Sequence, residues 1–82
     1  MGSIRAKAKL FATLRRFFPD YDPNEGIDVT LEEGSTMEDL IQALRLPANE
    51  ARVVLVGGIS KKLSDPVKDG DQVNIFTPLG GG

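Results

Sequence analysis

The sequence predicts an α+β roll, a mixed sheet of about five strands with one helix packed across it, and three observations predict it. Residues 4–10 and 27–32 alternate apolar and polar side chains with the two-residue period of a half-buried strand. Residues 37–44 carry apolar side chains at helical spacing. Three further short runs follow, 53–56, 59–63 and 72–77, separated by glycine-containing turn signals. The chain has 82 residues, so it forms one domain, 1–82, with one modest core.

In the first strand Ile4, Ala6, Ala8 and Leu10 share one face, leaving Arg5, Lys7, Lys9 and Phe11 on the other. Leu14 to Phe18 lead into PDYDPNEG, a loop dense in Pro, Asp, Asn and Gly. Ile27, Val29 and Leu31 then alternate with Asp28, Thr30 and Glu32 as a second strand. Glu33-Gly34 closes it. Ser35 or Thr36 caps the helix, with Ser35 and Glu38 at capping-box spacing. Met37, Leu40, Ile41 and Leu44 form its apolar face, and Pro47 is expected to stop it just beyond Arg45. Val53 to Val56 is a continuous aliphatic run, expected as a central strand buried more fully than its neighbours. Gly57-Gly58 turns the chain into the short run Ile59 to Leu63, and Asp69-Gly70 precedes the strand Gln72 to Thr77.

With 40% hydrophobic and 27% charged residues the composition is that of an ordinary globule rather than a disordered chain. Zero cysteines exclude disulfides, thiolate metal sites and cysteine nucleophiles, and zero histidines remove the commonest general base. No metal site and no resident cofactor is expected. No apolar run is long enough for a signal peptide or a membrane span, so the expected location is the cytoplasm. Net charge is −2, unevenly placed: residues 1–18 hold five basic residues and no acid, whereas 20–50 hold nine acids and only Arg45. The acidic overall balance argues against nucleic-acid binding, and the first strand keeps a basic stripe of Arg5, Lys7 and Lys9.

Four segments, in order, carry a resemblance. They are Leu10-Phe11-Ala12-Thr13-Leu14-Arg15, Ser35-Thr36-Met37-Glu38-Asp39-Leu40, the run from Leu63 to Val73 (LSDPVKDGDQV), and Ile75-Phe76-Thr77-Pro78-Leu79-Gly80-Gly81-Gly82. From Ala8 to Gly82 the chain resembles the sulfur-carrier proteins of the ubiquitin-like β-grasp fold. It is most similar to MoaD, the small subunit of molybdopterin synthase, and more distantly to ThiS of thiazole synthesis. It departs from the family pattern in Gly57-Gly58, where Asn-Gly is usual, and in Thr77-Pro78 followed by Gly80 before the final glycine pair. Its loop from Phe17 to Gly26 is also longer and more aromatic.

The resemblance implies that the chain is not an enzyme on its own. Its Gly82 carboxylate would be adenylated by a ubiquitin-activating-type enzyme (MoeB/ThiF-like) using ATP and magnesium, then converted to a thiocarboxylate by a sulfur donor. The sulfur would pass to molybdopterin synthesis within a complex with a MoaE-like large subunit. Glycines at 80, 81 and 82 suit passage into a narrow active site, because they lack a Cβ. An extended tail from Thr77 reaches about 20 Å at roughly 3.3 Å per residue. Independently of any family, a chain without cysteine cannot carry sulfur as a persulfide or side-chain thioester, which leaves the terminus.

Strand alternation puts Phe11 on the face of Arg5, Lys7 and Lys9, and Phe76 on that of Gln72 and Asn74. The family's sheet makes those strands neighbours, which would place Phe11 and Phe76 together on the open face beside a tail containing Pro78, Leu79 and Gly80. An exposed aromatic cluster with polar surroundings has the form of a protein-binding site. Phe17 and Phe18 are read as core or loop packing. Three alternatives stay open: sulfur supply to thiamine or amino-acid synthesis, conjugation to protein lysines as a ubiquitin-like modifier, and a non-covalent interaction module with an inert tail.

Overall fold

A computed structural model describes residues 2–22, 24–47 and 49–77. Among them, β1 (Ser3–Leu10), β2 (Ile27–Glu32), β3 (Val53–Val56), β4 (Ile59–Lys61) and β5 (Gln72–Phe76) form a five-stranded sheet in the order β2-β1-β5-β3-β4. β1 pairs antiparallel with β2 and parallel with β5, while β3 runs antiparallel to both β5 and β4. One helix, α1 (Met37–Ala43), packs across one face. This is the expected α+β roll, the architecture of a ubiquitin-like β-grasp.

Alternation decides which side chains fill the space beneath α1. Ile4, Ala6, Ala8 and Leu10 of β1, Val29 and Leu31 of β2, Val54 of β3, and Val73 and Ile75 of β5 are buried. They meet Met37, Leu40 and Ile41 of the helix and Leu44 at its C-cap. Each large aliphatic side chain so enclosed contributes about 1.5–3 kcal/mol. Ala6 and Ala8, at the middle of β1, are the small members of this layer.

The helix begins and ends differently from the sequence expectation. The capping box forms between Thr36 and Asp39, not Ser35 and Glu38: the Asp39 amide donates to Thr36 Oγ1 and the Thr36 amide to Asp39 Oδ2. Ser35 is engaged elsewhere, its amide donating to Glu32 and its carbonyl accepting from Val67. The next two amides of the helix start, Met37 and Glu38, donate to the carbonyls of Asp65 and Leu63. The chain segment before β5 therefore satisfies donors that a helix start leaves open. At the other end α1 stops at Ala43, before Pro47 acts. Leu46 donates to Ile41 and Arg45 to Gln42, the paired bonds of a Schellman motif, with Arg45 at φ 58° in the position usually held by glycine.

Three further differences concern strands and loops. β3 is not more buried than its neighbours, because no second layer covers the other side of the sheet among the described residues; only Val54 is buried, and Val53 is 36% exposed. Ala12–Phe17, expected as a lead into the loop, winds into a 3-10 helix that buries Leu14. Leu46, Ala51 and Val67 join the core from outside the periodic elements. The Gly57-Gly58 turn is as expected: φ of 59° and 80° at its two central residues is the combination a two-residue hairpin needs.

Candidate functional site

The face of the sheet away from α1 is the candidate site, and strand register builds it. Leu10 stands beside Ile75 in the parallel pair, and the Phe11 amide extends that ladder by donating to the Ile75 carbonyl at 3.1 Å. Phe11 and Phe76 therefore come level on the same face. Their rings stack with centroids 4.4 Å apart and planes 9° from parallel. A centroid separation wider than the contact distance of two rings implies an offset stack, the favoured arrangement, worth about 0.5–1.5 kcal/mol beyond area burial.

On the other side of Phe76 the antiparallel register sets Val53 directly across, and one step further along β3 sets Leu55 across from Asn74. Phe11 and Val53 are each 36% exposed, and Phe76 and Leu55 are half-buried. Lys9 stands beside Asn74 on β1. The result is a ridge of apolar side chains with a cation and an amide at its flank. Sequence alternation located Phe11 and Phe76 and put Asn74 on the face of Phe76, but missed Val53 and Leu55, because which strands are neighbours is a property of topology, not of any single strand.

The long loop has a structural use at the end of β1. The Leu10 amide lies past the last β1–β2 pair, Ala8 with Ile27, and donates instead to the Tyr21 hydroxyl at 3.1 Å. Phe18 and Tyr21 pack on the core. Phe17, read from the sequence as packing, is 38% exposed with the Arg16 guanidinium 4.8 Å from its ring centroid. Arg16 also pairs with Glu50 at 3.1 Å, tying the 3-10 helix to the loop before β3.

The sequence-predicted residues Pro78, Leu79, Gly80, Gly81 and Gly82 lie outside the described residues, which end at Thr77, immediately after Phe76. Among the described residues no helix is long and apolar enough to cross a membrane.

Comparisons with known proteins agree on the fold. Protein RnfH of Salmonella newport is 46% identical over 57 residues, which is 62% of this chain and 59% of that relative, so the match spans under two thirds of RnfH. A solved structure of a proposed molybdopterin converting factor subunit 1 from Pyrococcus furiosus superposes with a TM-score of 0.71 at 24% identity, covering 93% of this chain and 99% of the other. Small archaeal modifier protein 1 of H. volcanii gives the same TM-score and coverage at 21% identity. These identities carry the fold alone, so the finer placement beside MoaD or ThiS does not follow from them. A model of the Mut7-C ubiquitin family matches residues 3–79. That stretch contains every described strand and the helix, and the chain belongs to the Mut7-C ubiquitin family.

Proposed function

We propose that the chain is a sulfur carrier whose Gly82 carboxylate is adenylated and then converted to a thiocarboxylate, with molybdopterin synthesis as the recipient pathway. The observation that carries the reading is position. The aromatic stack of Phe11 and Phe76 sits at the end of β5, one residue before the last described residue and at the root of Pro78-Leu79-Gly80-Gly81-Gly82. A partner that grips this ridge is seated where the glycine segment starts. Carboxylates are anions at neutral pH and poor electrophiles, with a terminal pKa of roughly 3.3–3.7, so activation must precede replacement of oxygen by sulfur. The route the family resemblance implies is attack of the carboxylate on ATP, with magnesium, at a partner enzyme to give the acyl-adenylate and pyrophosphate, after which the sulfur donor displaces AMP. The folds shared with a proposed converting-factor subunit and with a small archaeal modifier support this family of reactions in general.

The second reading, conjugation of Gly82 to protein lysines, shares the adenylation step and is favoured by the modifier's likeness in fold. Mass spectrometry separates the two. The peptide that ends at Gly82 should show one carboxylate oxygen replaced by sulfur after incubation of the protein with the adenylating enzyme, ATP, magnesium and a sulfur donor. Omitting ATP should abolish the change. Gly82 found joined to lysines of other proteins, without thiocarboxylate, would replace the carrier reading by the modifier reading. Unmodified protein, given an enzyme active on another carrier, would leave a non-covalent module.

A further inference from the structure

The basic stripe on β1 is not uniform, and the difference singles out Lys9. Lys7 stands across from Asp28, and the backbone amide of Arg5 is held by the Asp69 carboxylate at 2.8 Å. Lys9 has uncharged neighbours on both sides. Beyond the Ala8–Ile27 pair the next residue of the second segment is Gly26, where an added Cβ would stand 3.5 Å from the Lys9 Cγ; on β5 its neighbour is Asn74. Among the described residues the ion pair is Arg16 with Glu50, so none of Arg5, Lys7 and Lys9 is paired; what sets Lys9 apart is that no acid stands beside it in register.

Asn74 supplies the second observation. Its Oδ1 is buried and accepts no hydrogen bond among the described residues, although it stands in the central strand between Lys9 and Leu55 and one step from the aromatic stack. A buried acceptor without a donor is a cost that folding alone does not repay. A cation without a counter-charge and an acceptor without a donor thus lie side by side at the flank of an exposed apolar ridge.

We propose, building on the carrier reading, that this flank is a recognition point for the adenylating enzyme, which presents a carboxylate to Lys9 and an N–H or O–H donor to Asn74 Oδ1 while apolar side chains cover Phe11, Phe76 and Val53. The flexible four-carbon stem of Lys9, next to Asn74 in register, can move aside as its ammonium meets the partner's carboxylate, which a donor needs in order to reach the buried Oδ1. Aromatic burial then holds the complex, and the lysine selects which surface may form it. Charge complementarity at such a rim acts through attraction over a screening length of about 8–10 Å, so it weakens with salt, whereas the ring contacts do not.

The test is ATP–pyrophosphate exchange by the ubiquitin-activating-type enzyme of the same organism, at saturating ATP and varied concentrations of this protein. Lys9→Glu is expected to raise the half-saturating concentration about tenfold or more at low salt, falling to about threefold or less near 0.5 M salt, with the effect on that concentration rather than on the maximal rate. Lys9→Gln should give a smaller rise with the same salt trend, and Lys9→Arg should be close to wild type. Asn74→Leu should raise the half-saturating concentration without salt dependence. An unchanged half-saturating concentration for Lys9→Glu at low salt, with an unaltered melt, overturns the inference and leaves sulfur carriage standing. Wild-type protein that supports no exchange, with an enzyme active on another carrier, overturns both. A dimer in sedimentation that Lys9→Glu dissolves would assign the face to a second copy of this chain and overturn the inference alone.

Discussion

The two faces of the sheet are written by the same alternation but obey different constraints. Under α1, Ala8, Val73 and Ile75 have no exposure at all, and the buried set includes no polar or charged residue. On the other face the intervening positions carry lysine, asparagine and phenylalanine, and even the apolar ones stay partly wet. A closed face is judged by how completely it fills space, whereas an open one is free to hold groups whose partners are elsewhere. The unmatched acceptor of Asn74 lies among the positions of that open face.

The contrast predicts that stability and binding separate by face. Leu40→Ala, at a fully buried helix position, should destabilise the fold by about 2–5 kcal/mol in denaturant unfolding, because it leaves a cavity beneath α1. Phe76→Ala should instead weaken binding to the adenylating enzyme by about 1–3 kcal/mol in titration calorimetry, with a smaller loss of stability. A large loss of stability with unchanged affinity would move the ring into the core and erase the distinction. Tyr21→Phe should cost about 1–2 kcal/mol of stability and leave binding intact, since the Leu10 amide loses its acceptor at a buried strand end. Arg45→Gly should raise stability by about 0.5–1 kcal/mol, seen as a higher melting temperature, by relieving a left-handed backbone at the Schellman position.

What could be read from the chain beforehand was whatever depends on local period. β1, β2, α1 and β5 each declare a buried face by their own spacing, and Phe11 and Phe76 follow from that spacing once β1 and β5 are neighbours. Long-range facts were not legible. The run Val53–Val56 reads as doubly buried, but an apolar run shows preference for burial and cannot say whether a second layer exists to provide it. Likewise Ser35 and Thr36 are equivalent caps on paper; the bridge from Thr36 to Pro66 and the bond from Val67 to Ser35 decide between them, and both come from a segment some thirty residues on. Leu46, Ala51 and Val67 carried no periodic signal because each is anchored by a turn or bridge rather than by a repeating element.

The parallel pairing of β1 with β5 has a temporal consequence. A ribosome makes β1 before β5, which follows only after the helix and three other strands, so the ladder between them is a late, non-local event in folding. Phe11 waits, without its stacking partner, until Phe76 has emerged. The ridge is therefore assembled at the moment the sheet is completed, and an incomplete or misfolded chain offers no such surface to grip. Recognition through the stack would in this way double as proofreading, admitting to the activating enzyme only those molecules whose first and last strands have already met.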